Sequence, residues 1–427
     1  MTPALDTSAR ERAIADAVTA LRPRITASLQ ELVHISSQTG DEGSAQQAMA
    51  RLMGEHGLEV DVWEPDAASL APHAESVTIE PGFTGRPNVV GRLRGAGSGR
   101  SLILNGHIDT VEIGDRAAWT HDPLGGKVAD GHLFGRGACD MKGGLIANLF
   151  ALHALREAGF APAGDVIVQS TISEEDGGAG ALAAVLRGYH ADAVLISEPT
   201  DLAIIPAQGG ALMFRLTVPG LSAHAAVRDE GVSAVEKFAD LHRGLLAFEA
   251  RRSREIDHPL YANIANKVPI NIGTVRAGAW ASSVPEFLVA EGRAGLVPGE
   301  QLETLKTALA AEVAALAAAD PWLRDHPPRL EWLNGQFAPA DVPLDSPLVT
   351  TLSAVWQRHT GAPPRIDAAT YGADMRHFVV TGGMPCVMFG AGDVRLAHAP
   401  DESIPLADLF TATTITANFI AAWCGVA

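Results

Sequence analysis

The chain has 427 residues, 47% of them hydrophobic and 19% charged, an ordinary globular composition with core enough for two domains. A formal net charge of −18 at pH 7 argues against a nucleic-acid or anionic-membrane surface, and still allows one local Arg to hold an anionic substrate. Three cysteines, Cys139, Cys386 and Cys424, with no C-x-x-C pair, argue against a disulfide framework and fit a reducing compartment.

The N-terminus MTPALDTSARERAIADAV is polar and carries no apolar leader, and no apolar run reaches membrane-span length, so the cytoplasm is the expected location. ERAIADAVTALRPRITASLQELVHIS has helical periodicity with a bend expected near Pro23. SAQQAMARLMGEHG reads as a helix stopped at Gly57. Strand-like SLILNG, helix-like MKGGLIANLFALHALREAG, strand DVIVQSTIS, helix GAGALAAVLRGY and strand ADAVLISEP then alternate, the pattern of a mainly parallel α/β sheet with helices on both faces.

The pattern changes near residue 212. LMFRLTVPG, a long helix SAVEKFADLHRGLLAFEARRSR, NIGTVRAG, FLVAEGRAG, the Ala-rich QLETLKTALAAEVAALAAA and RLEWLNGQF follow in β-α-β-β-α-β order, a ferredoxin-like α+β unit. After residue 335 the α/β pattern returns through SPLVTTLSAVWQRHTG, PCVMFGAG and ADLFTATTITANFIAAW. The expected organisation is a catalytic domain of residues 1–211 and 335–427, with an inserted domain at 212–334.

Ligands of an open parallel sheet bind at the carboxyl ends of its strands, and there the polar residues of this chain collect. His107 and Asp109 follow SLILNG, Asp140 precedes a long helix in GRGACDMKGG, and Glu174 and Glu175 end a strand in TISEED. Glu198 ends another in ISEPT, and His398 follows a third in FGAGDVRLAHAPDE. Each has an ordinary structural reading, such as helix cap or loop polar residue. Together they form a nitrogen and oxygen ligand set without thiolate, which suits zinc, manganese or cobalt. Two metals about 3.5–4 Å apart around a bridging carboxylate would account for the number of acids. Asp109 is placed to fix the His107 tautomer. Of the adjacent glutamates, one can bind metal while the other serves as general base and later general acid.

HIDTV, GRGACDMKGG, SEED, SEPT and AHAPDE, in this order and spacing, resemble the zinc-dependent amidohydrolase and peptidase family of acetylornithine deacetylase, succinyl-diaminopimelate desuccinylase, aminoacylase and glutamate carboxypeptidase. The resemblance covers nearly the whole chain. It implies two zinc ions, with cobalt or manganese as substitutes: His107 and Glu198 on one, Glu175 and His398 on the other, and Asp140 bridging. It implies Glu174 as catalytic acid/base, Asp109 as the residue that orients His107, and a cis peptide after Asp140. The inserted domain would be a lid and homodimer interface, with His224 of GLSAHAAVRDEG polarising the scissile carbonyl in trans, Arg293 binding a substrate carboxylate and Asn271 a further substrate contact.

Two positions depart from the family pattern: Arg228 stands where many relatives have Pro, and Ala373 where they carry Thr, Ser or Cys. The resemblance implies cleavage of a small N-acyl amino acid or N-acyl amine by metal-activated water. Its closest subset is acetylornithine deacetylase-like and includes aminomethylpyrimidine deformylases. The alternatives are a dipeptidase or carboxypeptidase of the same family and a non-catalytic metal-binding homologue. No G-x-S-x-G elbow supports a serine hydrolase, and Cys139 reads as packing.

Overall fold

The computed structural model describes residues 7–427. Residues 1–6, the start of the segment read for a leader, lie outside the described residues. Two compact units emerge. The first comprises the chain up to Pro206 together with Asp341–Asp367 and Ala373–Ala427, and the second comprises Ala207–Ala340 with Ala368–Gly372.

The first unit is built on a large mixed sheet. Its strands run in the order Glu59–Trp63, Asn88–Leu93, Val166–Thr171, Leu102–His107, Val194–Ile196, Cys386–Met388 and Ile204–Gln208. The centre, from Val166–Thr171 to Cys386–Met388, is parallel, and the flanking pairs are antiparallel. Every residue of Leu102–His107 and Val166–Thr171 is buried, as strands covered on both faces must be. The segment expected to bend near Pro23 is one continuous helix, Thr7–His34. Among the described residues no helix is long and apolar enough to cross a membrane.

Helix Gly143–Glu157 is nearly all buried, and its glycines set how closely it can approach the sheet. A Cβ on Gly144 would lie 2.1 Å from the Ser197 carbonyl, so the GG of DMKGG lets the helix start directly against the segment that carries Glu198.

The second unit has the β-α-β-β-α-β order, with helices Ala234–Glu255 and Leu302–Ala319. Its antiparallel sheet runs Ile270–Ala277, Phe287–Leu296, Gly210–Pro219, Arg329–Trp332. Gly210–Pro219 alternates, sending Leu212, Phe214, Leu216 and Val218 inward against Leu241, Leu245, Leu305 and Leu309. Each such buried side chain contributes about 1.5–3 kcal/mol. Ser233 caps the first helix by accepting from the Glu236 amide, while the Glu236 carboxylate pairs with Arg228.

Candidate metal centre

The parallel strands deliver their polar residues to one end of the sheet. His107 is the last residue of its strand and 1% exposed. Its register partner Thr171 leads into the SEED turn. That turn is sharp because Ser173 takes a left-handed backbone, φ +61°, which is uncommon for a residue with a side chain. Arg86 holds it there by donating to Ser173 Oγ at 2.5 Å, while the same guanidinium makes two 2.7 Å bonds to the buried Glu42.

Asp109 anchors both His107 and the SEED turn. The His107 ring donates from Nδ1 to the Asp109 backbone oxygen at 2.9 Å, and the Asp109 carboxylate lies 3.6 Å away. The expected role of Asp109 is thus taken by its carbonyl. Its carboxylate is committed elsewhere, accepting the Glu174 and Glu175 amides at 3.1 Å each and Thr39 Oγ1 at 3.0 Å. One carboxylate therefore pins the backbone of both adjacent glutamates, and the Nδ1 bond leaves His107 Nε2 as the ligating nitrogen.

Two groups of ligand atoms form. His107, Asp140 and Glu198 make one, and Asp140, Glu175 and His398 make the other, with the atoms of each group within 4.8 Å of one another. Asp140 is common to both. His107 Nε2 lies 3.1 Å from Asp140 Oδ1 and 4.0 Å from Glu198. His398 Nε2 lies 3.0 Å from Glu175 and 3.5 Å from Asp140 Oδ2. The Asp140–Met141 peptide is cis. Glu174 belongs to neither group.

The electrostatics of the cluster fit a cation. Burial, then the Asp140 charge, push the Glu198 carboxyl well up. Burial also lifts Glu174 well above the usual carboxylate range and takes Asp109 to about 7. Burial alone would lower His107, but the Asp140 hydrogen bond and the Glu198 charge raise it well above 6.5. Asp140 and Glu175 raise His398 to about 10. Carboxylates crowded this closely are stabilised together only by positive charge placed among them, and the donor set of imidazole and carboxylate suits zinc, cobalt or manganese. Cys139 is buried and its thiol is pushed well up by burial, which makes it a packing residue and not a nucleophile.

One residue that holds the bridging Asp140 was not singled out by sequence reasoning. Glu402, 1% exposed, accepts the backbone amides of Cys139 and Asp140 at 3.0 Å each and pairs with buried Arg136 at 2.7 Å. The signal was present in the last letter of AHAPDE.

The remaining predicted residues lie on the second unit. Asn271 and Arg293 are direct cross-strand partners. Arg293 is partly buried and its Nε has no hydrogen-bond partner. His224 is exposed, and its Nδ1 accepts the Ala226 amide at 3.1 Å, which leaves the proton on Nε2 as a free donor.

Residues 103–422 match the model of peptidase family M20/M25/M40. The chain belongs to that family. It is similar to the N-formyl-4-amino-5-aminomethyl-2-methylpyrimidine deformylase of Bacillus subtilis, 31% identical over 396 residues that cover 88% of each chain. The enzyme of the same name from Halalkalibacterium halodurans is 30% identical over 404 residues, 89% of each chain. Among solved structures, an M20 family metallo-carboxypeptidase from Sulfolobus solfataricus superposes with a TM-score of 0.73 at 15% identity, covering 94% of this chain and 99% of that one, which speaks to the fold alone. As a member of this metal-dependent family, the chain is an amidohydrolase, a hydrolase of amide bonds.

Proposed function

We propose that this M20 member is a dinuclear zinc amidohydrolase that removes a small acyl group, formyl first among candidates, from a primary amine. The observation that carries the reading is the pair of ligand groups sharing Asp140, with Glu174 beside them and outside both. The formyl choice rests on the two relatives at 31% and 30% identity over most of the chain.

His107, Asp140 and Glu198 would hold one zinc, and Asp140, Glu175 and His398 the other. Bound there, the metal supplies Lewis acidity to the acyl oxygen and lowers the pKa of the attacking water. Glu174 takes the proton from that water as its oxygen bonds to the acyl carbon. It then delivers the proton to the amine nitrogen as the C–N bond breaks, so the products are a carboxylic acid and a free amine. Burial raises the Glu174 carboxyl above the usual carboxylate range, which strengthens its carboxylate as the base. Asp109, Glu42, Arg86 and Glu402 keep the loops that carry these groups in place. His224, with its proton on Nε2, is assigned to the oxyanion in trans within a homodimer, and three buried unpaired cysteines suit a cytoplasmic setting.

A second reading, an N-acyl amino acid deacylase or peptidase, draws on Arg293, whose unpartnered Nε suits a substrate carboxylate and whose cross-strand neighbour Asn271 would add a contact. Amine release separates the two. The panel holds N-formyl, N-acetyl, N-succinyl and N-carbamoyl compounds, the formylated aminomethylpyrimidine, and dipeptides. It is run on zinc-loaded and chelator-stripped protein. Release from the N-formyl amine, lost on stripping and restored by zinc, is expected. Release from dipeptides alone would transfer the assignment to the peptidase reading, and release unaffected by stripping would overturn the metal assignment.

A further inference from the structure

Glu174 belongs to neither ligand group, so its carboxylate goes where the backbone of the SEED turn puts it. That backbone hangs on the fully buried Asp109 carboxylate, whose Oδ1 accepts the Glu174 amide and whose Oδ2 accepts the Glu175 amide. The χ2 torsion of Asp is soft, with two broad wells, so the carboxylate holds both amides in place only when its plane is fixed. The Thr39 hydroxyl fixes that plane. Its oxygen lies 3.0 Å from Asp109 Oδ2 and 3.5 Å from the Thr110 carbonyl, and its single proton goes to the nearer, charged acceptor.

The segment that carries Thr39 is tied down on both sides. Residues 38–41 form a tight turn, closed by the Asp41 amide on the Gln38 carbonyl at 2.7 Å, and the third residue, Gly40, takes φ +105°, which suits glycine. Ser37 Oγ donates to the Ile108 carbonyl at 2.7 Å and the Thr39 amide to the Thr110 carbonyl at 3.0 Å, which lays this segment along the one that carries Asp109. The Gly40 amide donates at 3.1 Å to Glu42, the carboxylate that also holds Arg86 against Ser173 of the SEED turn. Upstream, the anchor is Lys142, 1% exposed, whose Nζ donates to the Leu32 and Ile35 carbonyls at 2.9 and 2.8 Å. Carbonyls at the end of a helix lack intrahelical donors, and a cation there satisfies them. The buried ammonium thus fixes where the chain leaves helix Thr7–His34 on its way to Thr39.

We infer that Thr39 is a positioning residue for the catalytic base: it orients the Asp109 carboxylate that pins the Glu174 amide, and Lys142 sets the turn that presents it. The inference rests on Glu174 as the proton carrier. A displacement of about 1 Å at a reacting group costs on the order of 100-fold in rate. Glu174 is outside the ligand groups, so loosening its backbone lowers kcat while metal content holds.

The test uses zinc-loaded wild type, Thr39→Val, Thr39→Ser, Lys142→Met and the double variant Thr39→Val with Lys142→Met. The substrate is the N-formyl aminomethylpyrimidine, and amide exchange of the peptide spanning residues 172–178 is read by mass spectrometry. Thr39→Val keeps the shape and removes the donor. Its kcat should fall on the order of 10- to 100-fold with KM within about threefold, zinc content unchanged, and the peptide should exchange about tenfold faster or more. Thr39→Ser keeps the donor, so its kcat should stay within about threefold of wild type. Lys142→Met should lose kcat as Thr39→Val does, and the double variant should lose little more than either single one, because both act through one turn. A wild-type kcat in Thr39→Val, a loss that Thr39→Ser shares, or a loss with unchanged exchange would overturn the inference. If Lys142→Met does not fold, the Thr39 variants decide alone. If Glu174→Gln keeps turnover, or wild type does not cleave the formamide, the base assignment or the formyl reading fails by itself. Exchange then decides: faster in Thr39→Val and normal in Thr39→Ser upholds the positioning role, and equal exchange in all three proteins overturns it.

Discussion

Removing the Glu402 carboxylate should damage both the fold and the metal centre, through separable causes. Glu402 and Arg136 are 1% and 4% exposed at their side chains and 2.7 Å apart. Glu402→Ala strands a buried guanidinium, which costs about 3–5 kcal/mol. It also leaves the Cys139 and Asp140 amides without their acceptor, so Asp140 loses the support that aims it at both ligand groups. Losing such a supporting hydrogen bond typically weakens metal affinity about 10- to 100-fold. The pair itself is not a large net gain, because burial, and then the Asp140 charge, raise the Glu402 carboxyl despite Arg136. The double variant Arg136→Met with Glu402→Met should therefore regain most of the lost stability but none of the metal affinity. Urea unfolding and competition with a metallochromic chelator measure the two effects. If Glu402→Ala stays within about 0.5 kcal/mol of wild type and binds metal equally well, Glu402 does not position Asp140.

Asp140→Ala should lose both metal equivalents, because Asp140 is the shared member of the two ligand groups, whereas His398→Ala should keep the His107 group able to bind. Metal analysis after gel filtration checks this, and two retained equivalents in Asp140→Ala would contradict it. A pH effect is expected far from the centre. Burial, and then the neighbouring His56, push His153 down to about 4, and its Nε2 lies 3.2 Å from an Arg24 guanidinium nitrogen. The folded ring is neutral while the unfolded chain takes up a proton below about 6.5, so stability falls as pH drops from about 6.5 toward 4. His153→Leu should flatten that part of the curve of unfolding midpoint against pH, and parallel curves for the two proteins would count against the assignment.

The sites legible in the sequence were those whose position is set by strand ends. A buried apolar run ending directly in His, Glu or Asp announces itself, which is why His107, Glu174, Glu175 and Glu198 were visible, and the structure does gather His107, Glu175 and Glu198 with Asp140 and His398. The β-α-β-β-α-β unit was legible for a similar reason, since strand alternation and helical periodicity are local signals. Partnerships across long stretches of chain were hidden. Glu402 meets Arg136, and Arg86 meets Glu42 and Ser173, only after the sheet brings distant loops together. Asp109 does receive the His107 ring, through its backbone oxygen, because a side chain and its own backbone oxygen are alternatives that spacing does not separate.

The central claim is that Glu174 carries the proton while the ligand groups hold the metal. It is tested most directly by turnover and metal content measured together on Glu174→Gln. The predicted result is a fall in kcat on the order of 10²- to 10⁴-fold on the substrate that wild type prefers, with both metal equivalents retained. Turnover within about threefold of wild type, metal content being equal, would contradict it.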